Sequence, residues 1–276
     1  MTAAVDRWAV ILGVSSGAGA AVARAVVRDP GLHVFGIHRG HYAAAAQALE
    51  GELRATGRRV VMHVADAGTA EGARACADAV LGAAGPQSVH LLVHAISGAS
   101  LGHFLPTHDD ALRPPQFEKT FNFMAHSFPY WAQALHQRDL LAPGSRLLGL
   151  TNLLHDSLLN NCGLIAAAKA ALQMYVRCLA IELGPLGHRV NLLKFGSMHT
   201  PALAKVLGSE GMKRLEDVHR KTTPAGRMLT PEEVGRAVAY LARDESEWFN
   251  GATIDFTGGM TLRLLDIVAR TPGGDS

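Results

Sequence analysis

Short apolar runs alternating with longer amphipathic ones predict an α/β fold: a doubly wound parallel sheet of about seven strands with helices on both faces. Two observations carry this reading. The alternation runs from Trp8 to Phe256 without a linker, internal repeat or low-complexity tract, so residues 1–276 read as one domain. The first apolar run ends in a glycine turn, Gly13-Val14-Ser15-Ser16-Gly17-Ala18-Gly19, and an Ala/Val-rich run follows at once.

The totals exclude several classes. Hydrophobic residues make up 48%, enough for a sizeable core, and 26 Lys+Arg against 24 Asp+Glu leave a formal charge of +2. That balance gives no electrostatic reason to expect nucleic acid or a membrane surface as partner. Cys76, Cys162 and Cys178 are scattered and form no CxxC pair. A reducing compartment is expected, with neither a disulfide framework nor a metal site. Asp6 and Arg7 interrupt the start of the chain, and no uninterrupted apolar run is long enough to span a bilayer. A soluble cytoplasmic protein without leader or membrane helix is the expectation.

The elements follow in order. Trp8 to Leu12 reads as a strand, and the helix after the glycine turn runs to Val27. Strand, glycine turn and helix aim backbone N–H groups at a helix N-terminus, where phosphate binds. Gly13, Ser15, Ser16, Gly17, Ala18 and Gly19 are therefore candidate cofactor contacts, although three glycines in such a span also make a tight turn. Leu32 to Ile37 is the second strand, ending at His38-Arg39-Gly40. The tip of this strand faces the adenosine ribose in a dinucleotide site. No acid stands there to hold ribose hydroxyls; Arg39 suits a 2′-phosphate, or is an ordinary surface arginine. NADPH is expected over NADH.

Tyr42 to Thr56 reads as a helix and Arg59 to Val64 as a strand; Asp66, just beyond it, accepts from an adenine or caps the helix from Thr69 to Ala84. Val89 to Val93 is a strand ending in His94 and Ala95, where small neighbours admit a flat ligand and His94 either touches it or merely ends the strand. A proline-rich loop leads to a helix from Phe117 to Leu135 that Pro129 should kink. Leu147 to Leu150 reads as a buried strand, Asn152 to Asn161 as a polar loop, and the run to Leu183 as a long helix with Lys169 inside its apolar part. A lone cation there needs a partner, or reaches water along its own stem. Val190 to Phe195 is a strand, and Ser197 to Thr223 one or two short helices forming an apolar flap. Thr230-Pro231-Glu232-Glu233 opens a helix to about Arg243, and Ala252 to Phe256 is the last strand. Trp248 and Phe249 read as subunit-interface or core residues, and the tail 271–276 as disordered. The whole is Rossmann-like in arrangement.

Over about residues 8 to 262 the chain resembles the short-chain dehydrogenase/reductases. The resemblance rests on GVSSGAG after the first strand, VAD after the third, HRVNLLKFG at the sixth, and PAGRMLTPEEVGRAVAYLARDESEWFNGATIDFTGG near the end, all in register. Within that family it looks most like the enoyl-acyl-carrier-protein reductases, by HAIS at 94–97, the run from Pro143 through Leu172, and FGSMHT at 195–200. The resemblance implies NAD(P)H, hydride transfer, a small-molecule or acyl-thioester substrate, free or bound to a carrier protein, and a homotetramer or dimer. It also gives Lys169 the nicotinamide ribose and gives Met198 and Thr200 contacts to the nicotinamide amide and pyrophosphate. Asn122 falls near the family's active-site asparagine.

Two departures concern the chemistry. Family members carry a tyrosine four residues before the lysine, and enoyl reductases one seven before it; these positions are Ile165 and Cys162 here. The typical serine position holds Asn152, with Thr151 before it. Spacings of four and seven set Cys162, Ile165 and Lys169 on one helix face. Losing one donor to a developing oxyanion costs roughly 3–4 kcal/mol at some sites. Another group then serves as donor (His155, His126, Asn152 or a water), or Cys162 is a reactive thiol lowered by the helix terminus and Lys169, or Cys162 only packs. Three functions follow: an atypical NAD(P)H-dependent reductase of an enone, enoyl thioester or related carbonyl; a non-redox isomerase, cyclase or dehydratase; or a non-catalytic nucleotide-binding protein.

Overall fold

The structure, a computed structural model, describes residues 6–153 and 160–263. Seven strands form one sheet: β1 (Trp8–Leu12), β2 (His33–His38), β3 (Val60–Val64), β4 (Val89–His94), β5 (Leu141–Asn152), β6 (Arg189–Phe195) and β7 (Thr253–Phe256). Their order is β3-β2-β1-β4-β5-β6-β7, and every pairing is parallel. Chain direction across the sheet reverses between β1 and β4, which opens a crevice at their carboxyl ends.

The helices are α1 (Gly17–Val26), α2 (Ala43–Arg54), α3 (Ala70–Ala84), α4 (Pro114–Phe121), α5 (Ser127–Gln137), α6 (Gly163–Leu183), α7 (Pro201–Thr222) and α8 (Pro231–Leu241). They cover both faces of the sheet, which is why its strands read as unbroken apolar runs. Alternate residues of β1 enter opposite cores. Trp8, Val10 and Leu12 pack with Phe128, Trp131, Leu172 and Val176 of α5 and α6. Ala9 and Ile11 pack with Val22, Leu49, Val234 and Val238 of α1, α2 and α8.

Three elements differ from the sequence reading. β5 begins at Leu141 rather than Leu147. Val89 pairs with Leu141 but Leu91 with Arg146, so Pro143, Gly144 and their neighbours bulge out of the ladder. Pro-Gly is a turn signal, and a bulge carries the same residues. The helix from Phe117 is interrupted by a π-helical turn, Asn122–His126, between α4 and α5. Pro129 lacks an N–H and its ring crowds the carbonyl of Ala125, so the helix widens there instead of kinking at the proline. The segment Gly163–Leu186 meets the length and hydropathy of a membrane span, at a mean of 1.5. It is nonetheless the core helix of this domain, with Leu172 and Val176 buried against the sheet.

The remaining signals match. Thr230 caps α8: its hydroxyl accepts from Glu233 N at 3.3 Å, and Glu233 Oε2 accepts from Thr230 N at 2.9 Å. α7 is two helices joined at Gly208, whose φ of 65° no helix interior permits. The expected tail at 271–276 lies outside the described residues.

Glycine is required at Gly19, where a Cβ would lie 2.2 Å from the Gly13 carbonyl oxygen, and not at Gly51, where nothing lies within 4 Å. Gly19→Ala should lower stability by about 2–3 kcal/mol. Gly51→Ala, inside α2, should raise it by roughly 0.5–1 kcal/mol. Urea midpoints of the two variants check both signs.

Candidate active site

The carboxyl edge of the sheet opens into a cavity of about 1590 Å³ that runs from Arg39 and Tyr42 at the tip of β2 to the flap formed by α7. Its floor is the glycine turn. Gly13, at φ 87°, stands where a Cβ would be 2.7 Å from the Ala95 carbonyl, so β1 and β4 leave the sheet in contact. Gly17 has φ 55°, and its Cβ position lies 3.5 Å from Thr200 Cγ2, so the turn and the segment after β6 face each other. Ser16 is the N-cap of α1 and makes no side-chain cap bond. The first-turn N–H groups of α1 therefore have no side-chain acceptor of their own at the N-cap, as an anion site requires.

At the β2 end the Arg39 guanidinium lies over the Phe123 ring, 4.7 Å from its centroid. Phe123 is buried on the π turn and packs on Gly68, whose Cβ position is 2.4 Å from the ring. Ala65, Ala67, Gly68, Ile96 and Phe123 line this end. The sequence reading missed Gly68 and Phe123; a glycine two residues beyond Asp66 was the available signal. Asp66 itself is off the wall. Its Oδ1 accepts from Gly68 N at 2.9 Å and shapes the turn, while Thr69 caps α3. Thr69 thus takes the helix-capping role that was one of the two read for Asp66.

His94 is also corrected. It is fully buried and absent from the cavity wall, because its ring points under the floor toward α5. Ser127 Oγ donates to Phe123 O at 3.0 Å, so it accepts from His94 Nε2 at 2.7 Å. This fixes the Nε2–H tautomer and leaves Nδ1 buried without a partner among the described residues. Burial, then the charge of Lys169, pulls His94 down to about 3, so it is neutral. Its neighbour Ala95 is on the wall.

Thr151, Asn152, Cys162, Ile165 and Lys169, from the end of β5 and from α6, lie together on the cavity wall. Lys169 is 5% exposed, and its Nζ donates to the Leu150 carbonyl at 2.8 Å. Burial draws its pKa down to about 8. Thr151 Oγ1 is buried with no hydrogen-bond partner among the described residues. Cys162 is buried, its Sγ 3.5 Å from Asn161 Oδ1, and burial pushes the thiol up. Of the readings open for Cys162, burial opposes the lowered, reactive thiol and agrees with a cysteine that packs. Asn122 opens the π turn and is off the wall, while Phe123 and Met124 of that turn are on it. His126 is held by Tyr175, whose Oη lies 2.9 Å from its Nδ1, and is likewise off the wall. His155 lies outside the described residues.

The chain has four tyrosines, and among them only Tyr42, at the β2 end, lines the cavity. Met198, Thr200, Leu203, Leu207, Gly211, Arg214 and Leu215 complete the wall from β6 and the flap. Thr200 caps α7, its hydroxyl accepting from Leu203 N at 3.1 Å. Among the described residues the wall carries two arginines, Arg39 and Arg214, and one lysine, Lys169, and no carboxylate.

Residues 13–261 match the family described as Enoyl-(Acyl carrier protein) reductase. The chain is 29% identical over 174 residues to the enoyl-acyl-carrier-protein reductase (NADH) FabI of Escherichia coli, covering 63% of this chain and 64% of that protein, just under two thirds. It is 26% identical over 261 residues to the 1-cyclohexenylcarbonyl-CoA reductase of Streptomyces collinus, covering 95% and 89%. A short-chain dehydrogenase from Burkholderia cenocepacia, solved in complex with NADP, superposes with a TM-score of 0.77 at 26% identity over 93% of this chain and 99% of that one. The 3-oxoacyl-acyl-carrier-protein reductase of Brucella melitensis, solved with NAD, shares the fold at a TM-score of 0.82, 22% identity, and 94% and 99% coverage.

Buried and raised, Cys162 should react slowly with iodoacetamide at pH 7, while the exposed Cys178 labels first. Peptide mapping over a labelling time course checks this, and Cys162 labelling ahead of Cys178 contradicts it.

Proposed function

The chain belongs to the short-chain dehydrogenase/reductases, in the family described as Enoyl-(Acyl carrier protein) reductase, and from that premise we propose that it is an NADPH-dependent reductase of an enone or enoyl thioester. The observation that carries this reading is the charge of the cavity: three cations and a helix N-terminus, with no carboxylate among the described wall residues. A dinucleotide carrying a pyrophosphate and a 2′-phosphate complements that wall.

The residues fit such a cofactor. The uncapped first turn of α1 receives the pyrophosphate. Arg39, which lies over the Phe123 ring and has no ion pair among the described residues, would hold the 2′-phosphate. Lys169 spends one N–H on Leu150 and keeps two for ribose hydroxyls. The bound reduced nicotinamide supplies the hydride. Thr151 Oγ1, buried with no partner among the described residues, would donate to the substrate carbonyl oxygen where negative charge develops. Lys169 offsets the charge and stores the proton the reduction consumes. The flap residues Leu203, Leu207 and Leu215 exclude water above them. This arrangement replaces the absent tyrosine with a hydroxyl from the neighbouring strand.

The tyrosine census is the observation that favours a second reading, a non-redox isomerase, cyclase or dehydratase on the same fold; turnover without any nucleotide is its signature. The proposed substrate is a free small molecule or an acyl thioester, including one borne by a carrier protein. A homotetramer or dimer is also proposed. Met174 and Ile181 on α6 are 54% and 77% exposed, and Trp248 is 93% exposed, so these apolar surfaces suit burial between copies.

Fluorescence titration and NADPH oxidation with crotonyl thioesters test the reading. Arg39→Leu should weaken NADPH by roughly 10–100-fold while leaving NADH nearly unchanged. Thr151→Val should leave NADPH affinity intact and lower kcat by about a hundredfold. Failure of either nucleotide to bind at millimolar concentration contradicts the proposal.

A further inference from the structure

A buried hydrogen-bond chain beneath the cavity floor takes no part in the chemistry above it. His94, the last residue of β4, is 0% exposed. Its Nε2–H donates to Ser127 Oγ at 2.7 Å, and that hydroxyl donates to the Phe123 carbonyl at 3.0 Å. The serine rotor is thereby fixed from both sides, since a hydroxyl has one proton to give and accepts the histidine's on a lone pair. The other ring nitrogen, Nδ1, is buried with no partner among the described residues. An apolar residue at 94 would leave no such orphan. What the histidine contributes is therefore its Nε2 donor.

The chain ends on the π turn. Ser127 N bonds to Asn122 O, so the amide that an α-helix sends to Phe123 O goes one carbonyl further back. The Ser127 hydroxyl donates to Phe123 O in its place. Phe123 and Met124 of this turn both line the cavity. Three segments meet at the Phe123 ring. The Cβ position of Gly68, after β3, is 2.4 Å from it, and that of Gly98, after β4, is 3.5 Å away; Arg39, after β2, lies over it. The wall residues beside it, Ala65, Ala67, Gly68 and Ile96, are small or apolar. They leave room for a flat ring and offer no side chain to hydrogen-bond it, and Phe123 is the aromatic group among them.

We propose that His94 is a positioning residue for the cofactor: through Ser127 it holds the π turn so that Phe123 presents its ring to the purine of the dinucleotide. The inference rests on the NADPH reading, which sets the 2′-phosphate on Arg39. The purine hangs from the ribose carbon next to the one bearing that phosphate, so a ring packed against Arg39 is within its reach. Contact between a base and an aromatic side chain contributes appreciably to nucleotide affinity. His94 itself is off the cavity wall, so its effect on the cofactor passes through the turn.

Calorimetric titration of the full-length protein with ADP, adenosine 2′,5′-bisphosphate and reduced nicotinamide mononucleotide reads the two halves of the cofactor separately. Phe123→Leu should weaken both adenosine probes by about tenfold and leave the nicotinamide probe unchanged. His94→Leu and Ser127→Ala should each weaken the adenosine probes by about three- to tenfold. His94→Gln, which keeps an N–H near the Nε2 position, should restore most of the affinity. In the Phe123→Leu background, His94→Leu should add less than about twofold, because it acts through that ring. If His94→Leu does not fold, Ser127→Ala carries the same comparison. Unchanged affinity for the adenosine probes in Phe123→Leu overturns the proposal, as does a loss confined to the 2′-phosphate probe, which would tie the ring to Arg39 alone. So does a His94→Leu effect that persists without the Phe123 ring or falls equally on the nicotinamide probe. A wild-type protein that binds NADPH while its variants fail these tests overturns this inference only; one that binds neither NADPH nor either half overturns the NADPH reading with it.

Discussion

A buried ammonium group with one backbone partner and no described carboxylate beside it governs this structure. Lys169 projects from α6 onto the carboxyl edge of the sheet, where the Leu150 carbonyl is its acceptor. Burial of an unpaired cation is costly, and the depressed pKa of about 8 records that cost. The arrangement persists because its supports are rigid. β5 runs to Asn152, with Leu147 packed in one core and Leu148 in the other, and α6 is fixed by Leu172 and Val176. The Leu150 carbonyl and the lysine thus belong to elements that cannot shift independently.

The rest of the cavity extends the same logic. Positive groups line it, in chain order the α1 terminus, Arg39, Lys169 and Arg214. Backbone closeness rather than side-chain chemistry builds the floor: Gly13 against Ala95, and Gly19 against Gly13. Neutral His94 lies beneath, its tautomer fixed by Ser127, and adds no charge to compete with the lysine. The wall therefore complements a long, multiply anionic ligand at every station, while its apolar patches under the flap accept a chain.

Much of this was legible in the sequence, for identifiable reasons. The central strands were readable because burial on both faces makes them apolar runs, and α8 because Thr230 and Glu233 write a capping box. The shared face of Cys162, Ile165 and Lys169 followed from helical spacing. What stayed hidden depended on distance in space. The bulge at Pro143-Gly144 has the same composition as a turn. The π turn at Asn122 is a response to Pro129, which composition marks only as a break. His94 ends a strand beside the crevice, but which way its ring points is decided by Ser127, 33 residues away. Cys162 was left open between a reactive and a packing thiol, because its burial, which raises it, is a property of the fold. Arg39 and Arg214 were visible as residues, but their isolation from carboxylates required the fold.

Proton uptake on nucleotide binding measures the central interaction directly. At pH 8.5 a lysine with a pKa near 8 is mostly neutral in the free protein. A dinucleotide bringing phosphates and ribose acceptors favours the charged form, so the pKa rises and a proton is taken up from solution. Calorimetry of NADPH binding in buffers of different ionisation enthalpy should give an uptake of about half a proton or more at pH 8.5, much less at pH 7, and none attributable to this site in Lys169→Met. Uptake that is absent at pH 8.5, or equal in the wild type and Lys169→Met, would contradict the account.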